Sequence, residues 1–581
     1  MCANCGLGLD PIVDAGPAAG GRTRPKAAGR IRRPEVPTVF RGGAVYTMNP
    51  AQPWATAVAV RGAEIIAVGS DAEAVAAAGP DAEVVELDGR MVLPGFIEGH
   101  VHPLLGSFFT SGADLQVPTK ADALAAIAEY ARSNPEGNVR GFGWRMDMVG
   151  ESGPHRSDLD AIVPDRPVLL FAIDAHSMWM NTAALERAGV TRDTPDPVPG
   201  FSVFGRDPDG TPTGFVLEAP AMLAVISAVD PLTPESLTEA FARWAFKASA
   251  AGITALFDAG MPPVGGDPDG LAAIYTDAEA RGELPCRVVV SHLCKEPPID
   301  GVVAATLRLR DRLNTELVRG GVLKILGDGT LEGHTGYLFE PYADRPDSVG
   351  QTPFTEEQWH RLVAEADAAG VDVHIHSIGD RTARIALDAI EAAINANPPR
   401  DRRHTIAHLE LVDEADLPRL GQLGVIGQFS AGWMAADPSN TGITLERCGP
   451  DRYRTIYRPR SMMEGGATIS FGSDWPGASW FSTYKPLDAI EIAVTRQSVG
   501  CPEMPVLEPA DERLDLASAL HAATLGPARQ LRLEQLVGSL EPGKRADLVV
   551  LRDNLFEVPP HQIAATAVEM TMMNGRFTHG G

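Results

Sequence analysis

The chain has 581 residues, 44% hydrophobic and 22% charged, a balance that supplies ample material for a core and excludes a wholly disordered or collagen-like protein. Its 50 Lys and Arg stand against 76 Asp and Glu, a net charge of −26 that repels nucleic-acid phosphates and anionic lipid, so nucleic-acid binding is excluded. It offers no run of about 18 apolar residues and no apolar stretch of a secretory signal near its start, so neither a membrane span nor export is expected, and the expected location is cytoplasmic.

Residues 1–36 mix Gly, Pro, Ala and Arg without periodicity and are expected to form an extended N-terminal arm. Cys2 and Cys5 lie there at a CxxC spacing, but no second pair follows to complete a zinc site, and they read as unpaired thiols. The six cysteines are too few and too scattered for a disulfide framework. From Thr38 to Leu93, short alternating segments broken by glycine (TVFRGGAVYTM, ATAVAVRGAEIIAVG, AEVVELDGRMVLP) read as a small antiparallel sheet. GSLEPGKRADLVVLRD and the final AVEMTMMNGRFTHGG repeat the style, so 37–93 and 537–581 are expected to form one composite β-sandwich domain.

Between them, β-like runs alternate with Ala-rich amphipathic stretches, the pattern of βα units and a parallel sheet. The runs are MVLPGFIEGHVH, 253–260, 286–293, 322–329, 371–379, 404–410, 424–430 and 467–474, the eight that a (β/α)8 TIM-type barrel over 94–536 requires. That span exceeds the about 250 residues of a minimal barrel, and most of the excess falls at 103–252, read as a lid-like insertion after the first strand. An open doubly wound sheet would also alternate, but no Gly-rich phosphate loop follows the first strand.

TIM-barrel active sites are built at the C-terminal ends of the strands. Four of the fourteen histidines fall there: His100 and His102, an HxH that sends both imidazoles to one face, His376 on the fifth strand and His408 on the sixth. Lys324 lies in the fourth strand and Asp474 ends the eighth. A lone strand-end histidine is usually a packing residue, and an Asp before Trp-Pro usually a turn residue, but a lysine in an apolar strand needs a partner. Neutral imidazoles and carboxylates bind divalent metals, which lower the pKa of a bound water to about 7. A lysine ammonium cannot ligate, so Lys324 is expected to be deprotonated, either as a base or as a carbon dioxide carbamate bridging two metals. Asp474 is then expected to bind one metal and carry a proton from the attacking hydroxide to the leaving group.

These residues resemble the amidohydrolase superfamily, and more closely its family-3 branch of YtcJ-like and N-substituted formamide deformylase-like hydrolases. LPGFIEGHVHP, VHIHSIGDRT, RHTIAHLELV, SFGSDWP and GSLEPGKRADLVVL carry the resemblance, which covers about residues 38 to 577. It implies His100 and His102 on one metal, His376 and His408 on the other, carboxylated Lys324 bridging, and Asp474 as ligand and acid/base. It also implies His176, in AHSMWMNTAAL, as a substrate or oxyanion contact and Arg381, in GDRT, as a supporting or substrate group. After the lysine strand this chain departs from the pattern with DGTLEGHTGYL, which places Glu332 and His334 on a loop expected to face the site. Glu218 reads as a pocket-closing residue or, equally, a plain surface carboxylate. His374 is expected to face the packing helices as a structural histidine, as are His292 and His404.

The expected activity is hydrolysis of a non-peptide carbon–nitrogen bond, such as that of an N-substituted formamide or N-acyl amine, by metal-activated hydroxide. Trp144, Trp179, Trp433 and Trp475 are expected to make the pocket apolar. Zinc is the metal expected first, two per chain, with manganese, iron, cobalt and nickel chemically compatible. A mononuclear deaminase would call for HxxE after the fifth strand, where this chain reads His376-Ser-Ile-Gly-Asp380. A non-catalytic scaffold would be free to lose ligands, yet all six positions are filled. A small-molecule amide partner is expected, and a homodimer, because the β-rich appendage leaves edges to cover.

Overall fold

The computed structural model describes residues 31, 34–150, 153–261, 270–478 and 480–581. Most of the expected arm, Cys2 and Cys5 included, lies outside the described residues. The run MVLPGFIEGHV, read from the sequence into both the small sheet and the barrel, divides at Gly95: Met91–Pro94 belongs to an outer sheet and Phe96–Val101 to the barrel. A Cβ at Gly95 would lie 2.2 Å from Thr254 Oγ1, so only glycine lets the chain pass this close to the next barrel strand.

Among the described residues, eight parallel strands follow one another in chain order: β1 (Phe96–Val101), β2 (Ile253–Met261), β3 (Arg287–Cys294), β4 (Val318–Leu326), β5 (Asp372–Ser377), β6 (Thr405–His408), β7 (Ile426–Ser430) and β8 (Ile469–Gly472). Each is one of the eight runs expected from the sequence. The sheet comes round on itself where β8 meets β1, and just beyond these strands Asp474 N–H donates to His100 O (2.8 Å) and His102 N–H to Trp475 O (2.9 Å). Strand periodicity sorts the side chains: Val288, Val290, Leu323, Ile325, Val373 and Ile375 pack in the main apolar core against the helices, while Phe257, Ala259 and Val289 pack with Ala528, Leu531 and Leu533 across the barrel floor.

Between β1 and β2 lies a six-stranded sheet made of Ala113–Asp114, Val139–Trp144, Val168–Ala172, Ser177–Met180, Pro212–Leu217 and Val203–Arg206, with its own core around Leu115, Ile127, Trp144, Leu170 and Trp179. Two helices of the same segment, α1 (Pro103–Phe109) and α2 (Ala219–Val229), bring apolar side chains to the mouth of the barrel. At the other side both ends of the chain share a sheet: Leu548–Leu551 pairs antiparallel with Met91–Pro94, and Val568–Met573 and Arg576–His579 follow it. A four-stranded sheet from residues 38–86 faces it across a core that includes Phe40, Val58, Ile65, Val92, Leu548 and Phe577. The buried Arg287 of β3 grips the buried Asp547 through Nε (2.8 Å) and Nη2 (3.0 Å) and so ties the barrel to this unit. No described helix is long and apolar enough to cross a membrane.

Candidate active site

The seam between β1 and β8 builds the centre of the site. Because the backbones at 100–102 and 474–475 are hydrogen-bonded together, the His100, His102 and Asp474 side chains are delivered to one point: Asp474 Oδ1 lies 3.1 Å from Nε2 of both His100 and His102. His408, at the end of β6, brings Nδ1 to 3.9 Å from Asp474 Oδ2. One ligand atom each from His100, His408 and Asp474 lie within 4.8 Å of one another. His408 Nε2 and His102 Nδ1 are buried and make no hydrogen bond, and Asp474 Oδ1 faces only imidazole nitrogens. Buried polar atoms left unpaired in such proximity are what a cation would satisfy, and ligands about 2.1 Å from a tetrahedral zinc are about 3.4 Å apart. The residues present therefore fit a divalent metal.

The electrostatics agree with that fit. Burial, reinforced by neighbouring cations, pushes His100, His376 and His408 well below the usual imidazole range and so holds them in the neutral, ligating form. Burial alone would raise Asp474, but the imidazoles of His408 and His102 and the Lys324 amine outweigh it and bring the carboxyl down to about 2. Lys324 Nζ is 3.4 Å from His100 Nε2, and burial lowers its amine to about 7. The His376 ring lies 4.5 Å from that of His408, tilted by 60°, while its Nε2 hydrogen-bonds to Gly329 O at 3.1 Å. Trp433 lies flat on His408, 5.1 Å between centroids, which fixes the plane of that ring.

His374 corrects the sequence reading. Residues two apart on a strand share a face, so His374 points inward with His376, and it is Val373 and Ile375 that meet the helices. Its Nε2 is 2.9 Å from His100 Nδ1, beside Gln428 Oε1 at 3.1 Å, and its Nδ1 is 3.4 Å from Gln530 Nε2. This inner set occupies the Nδ1 side of His100 and leaves Nε2 facing Asp474, the arrangement by which outer partners orient a metal-binding histidine. His404 is structural as expected, its Nε2 3.2 Å from Asp367 and its Nδ1 accepting from Val373 N–H.

A second group faces the centre from the insertion. Ser177 and Leu217 are partners in an antiparallel pair, so His176 and Glu218, one step beyond, stand side by side, and Glu218 N–H donates to His176 O. His176 Nδ1 is 2.7 Å from Glu218 Oε2, and Thr335 Oγ1 donates to Glu218 Oε1 at 2.6 Å. Glu218 is thus a fully buried partner and not a surface carboxylate, held at φ +65°, a conformation that costs a non-glycine residue energy. Burial disfavours the His176 cation, but the charge and hydrogen bond of Glu218 and the nearby Asp174 and Asp474 prevail and raise it to about 9. The His176 ring is 5.3 Å from that of His376.

Both groups open on one cavity of about 110 Å³. His102, His176, Lys324, His376 and Asp474 line its polar end, and Leu105, Phe109, Met222, Leu223, Ile226 and Leu293 its walls. The other expected contacts sit elsewhere. Trp144 is buried in the core of the insertion, its Nε1–H donating to Leu170 O, and with Glu332 it lines a separate small pocket of about 10 Å³ that shares Asp174 with the larger one. His334 turns to Asp344 (2.9 Å), and Arg381 lays its guanidinium over Tyr337. Trp475 stacks on Trp244 and Trp179 is buried in the core of the insertion, so the cavity walls are aliphatic apart from Phe109, where tryptophans were expected. Sequence reading also passed over Asp328, after β4, which accepts from Tyr337, Ile378 and Gly379 N–H and Thr382 Oγ1–H and ties together the loops behind His376.

The amidohydrolase family profile matches residues 83–579. The chain is 31% identical over 539 residues to Protein LONG AFTER FAR-RED 3 of Arabidopsis thaliana, covering 90% of this chain and 89% of that one. It is 29% identical to the putative amidohydrolase YtcJ of Bacillus subtilis (93% and 99% covered) and 27% identical to the N-substituted formamide deformylase of Arthrobacter pascens (91% and 96% covered). An uncharacterized metal-dependent hydrolase from Pyrococcus horikoshii superposes with a TM-score of 0.70 at 24% identity, over 90% of this chain and 99% of that one, a likeness of fold. With a barrel closed at its own ligand-bearing seam and a family profile that runs across most of its length, the chain belongs to the amidohydrolase family.

Proposed function

We propose that the protein hydrolyses the carbon–nitrogen bond of a small non-peptide amide, such as an N-substituted formamide or N-acyl amine. One observation carries this reading: a buried cluster of imidazoles around an ionised carboxylate, some of whose polar atoms make no hydrogen bond, opens on a largely apolar cavity that His176 faces from beside His376. The name of the Arthrobacter relative points the same way. The residues that would hold metal are His100, His102, His376, His408 and Asp474, with zinc proposed. A divalent ion bound there supplies a water of lowered pKa and polarises a carbonyl oxygen. Asp474 takes the proton of the attacking water on its carboxylate and returns it to the departing amine nitrogen. His176, fixed by Glu218, offers Nε2 to the carbonyl oxygen as negative charge builds there. The apolar walls exclude bulk water and receive the hydrocarbon part of the substrate.

In this reading Lys324 would be carboxylated and would help to hold a second ion, supported by a buried amine 3.4 Å from His100 Nε2 that burial lowers to about 7. The hold of Gly329 O on His376 favours a second reading with a single ion at His100, His408 and Asp474. The cytoplasm is the proposed location and a homodimer the proposed assembly, the latter measurable by light scattering. The deciding experiment is elemental analysis of protein purified without chelator, and again after incubation with zinc or manganese plus bicarbonate, alongside assays on N-formyl amines. Two ions per chain with turnover supports the bridged site. One ion with turnover supports the single-ion reading, and no metal under either condition defeats the hydrolase reading.

A further inference from the structure

We propose that the cavity recognises a carboxylate carried by the amide substrate, through the ammonium of Lys295; this rests on the hydrolase reading and narrows it to acid-bearing amides. In the β3–β4 register Leu293 stands opposite Lys324. Lys295 lies two residues further along the chain and on the same face, about 6.6 Å nearer the mouth by strand rise. Leu293 and Lys295 both line the cavity, whereas Cys294 between them packs into the outer core. Among the described lining residues, Lys295 is the one ammonium outside the metal-binding group, and Leu223, Ile226, Leu293 and Leu326 line the cavity with it.

An ammonium in such surroundings needs an anion. In the free protein that anion is Glu296, the next residue in the chain, whose side chain is 30% exposed against 19% for Lys295. A neighbour on a more exposed side chain is a counter-ion that an entering carboxylate can displace, keeping Lys295 paired throughout. The local cation also answers a difficulty set by the whole chain, because a net charge of −26 repels anionic substrates at long range and leaves their capture to the cavity itself. A neutral amide would bind with Lys295 still paired to Glu296 and would gain nothing from it.

The test uses two probes that differ by one group, N-formylphenylalanine and N-formyl-2-phenylethylamine. Binding is measured by calorimetry on metal-free protein, and kcat and KM on zinc-loaded protein, for wild type, Lys295→Met and Lys295→Arg. The expected result is that wild type prefers the acid by about tenfold or more. Lys295→Met should erase that preference through KM, with kcat and the neutral probe little changed, and Lys295→Arg should keep most of it. Equal affinity of wild type for both probes, no binding of either, or equal weakening of both in Lys295→Met would overturn the proposal. A binding preference lost in Lys295→Met without turnover of either probe would leave the carboxylate site standing and remove the hydrolase reading. Turnover of both probes with equal KM would do the reverse.

Discussion

Glu218 shows how much a single side chain can govern from behind the site. It fixes which nitrogen of His176 faces the cavity and, through its charge, keeps that imidazole protonated to about 9. The Glu218→Gln variant should therefore move the alkaline limb of the kcat/KM profile downward, toward the ordinary imidazole pKa of about 6.5. An unmoved limb would detach His176 from the reaction. The same pair has a stability consequence with a definite sign. A histidine whose folded pKa is raised stabilises the fold fully below its unfolded pKa and loses that contribution as pH rises through about 9, so the melting temperature of the wild type, but not of Glu218→Gln, should fall across that interval. Lys324 makes the second residue-scale prediction. Lys324→Ala should lower turnover by at least about 10²-fold while leaving the circular dichroism spectrum and a cooperative melt in place, and wild-type turnover would refute its role. Of the residues behind the site, His374 was legible in principle, since period-two spacing already groups it with His376. Glu218 was not, because its partnership with His176 depends on the register between strands that are far apart in the sequence.

At the scale of the element, the seam between β1 and β8 decides whether the ligands meet. A Cβ on Gly472 would lie 2.3 Å from His100 N and 2.8 Å from His100 Cβ, so the last strand can approach the first only if this residue has no side chain. Gly472→Ala should push the strands apart, costing about 1–3 kcal/mol of stability as an overpacking substitution and, more tellingly, lowering metal content per chain. Elemental analysis and thermal melts of the variant test both, and unchanged metal content would show that the seam tolerates the displacement. The eight strands themselves were readable because a parallel sheet covered on both faces leaves near-continuous apolar runs closed by glycine or polar residues. The first run was read into both sheets, since the same apolar letters suit both, and the chain passes from one to the other at Gly95. The positions of Trp144, His334 and Arg381 were unreadable for a related reason: sequence places a residue near a motif but does not show which neighbour its side chain turns toward.

For the molecule as a whole, the barrel and the sheet shared by the two chain ends are coupled by the buried pair Arg287–Asp547, with Asn574 N–H donating to the same carboxylate. Asp547→Ala would strand a buried guanidinium and is expected to cost about 3–5 kcal/mol, read as a lower urea midpoint, whereas an unchanged midpoint would mean that water reaches Arg287 in the variant. The shared sheet also sets an order of events in time. One edge of Met91–Pro94 pairs with Ala44–Tyr46, close by in the chain, but its other edge is filled only by Leu548–Leu551, more than 450 residues later. At about 5–20 residues per second, the ribosome takes on the order of a minute to supply it. Throughout that interval the nascent protein holds an unfilled strand edge, and a product cut short before residue 548 keeps that edge open, with greater exposure to unwanted pairing as the expected consequence.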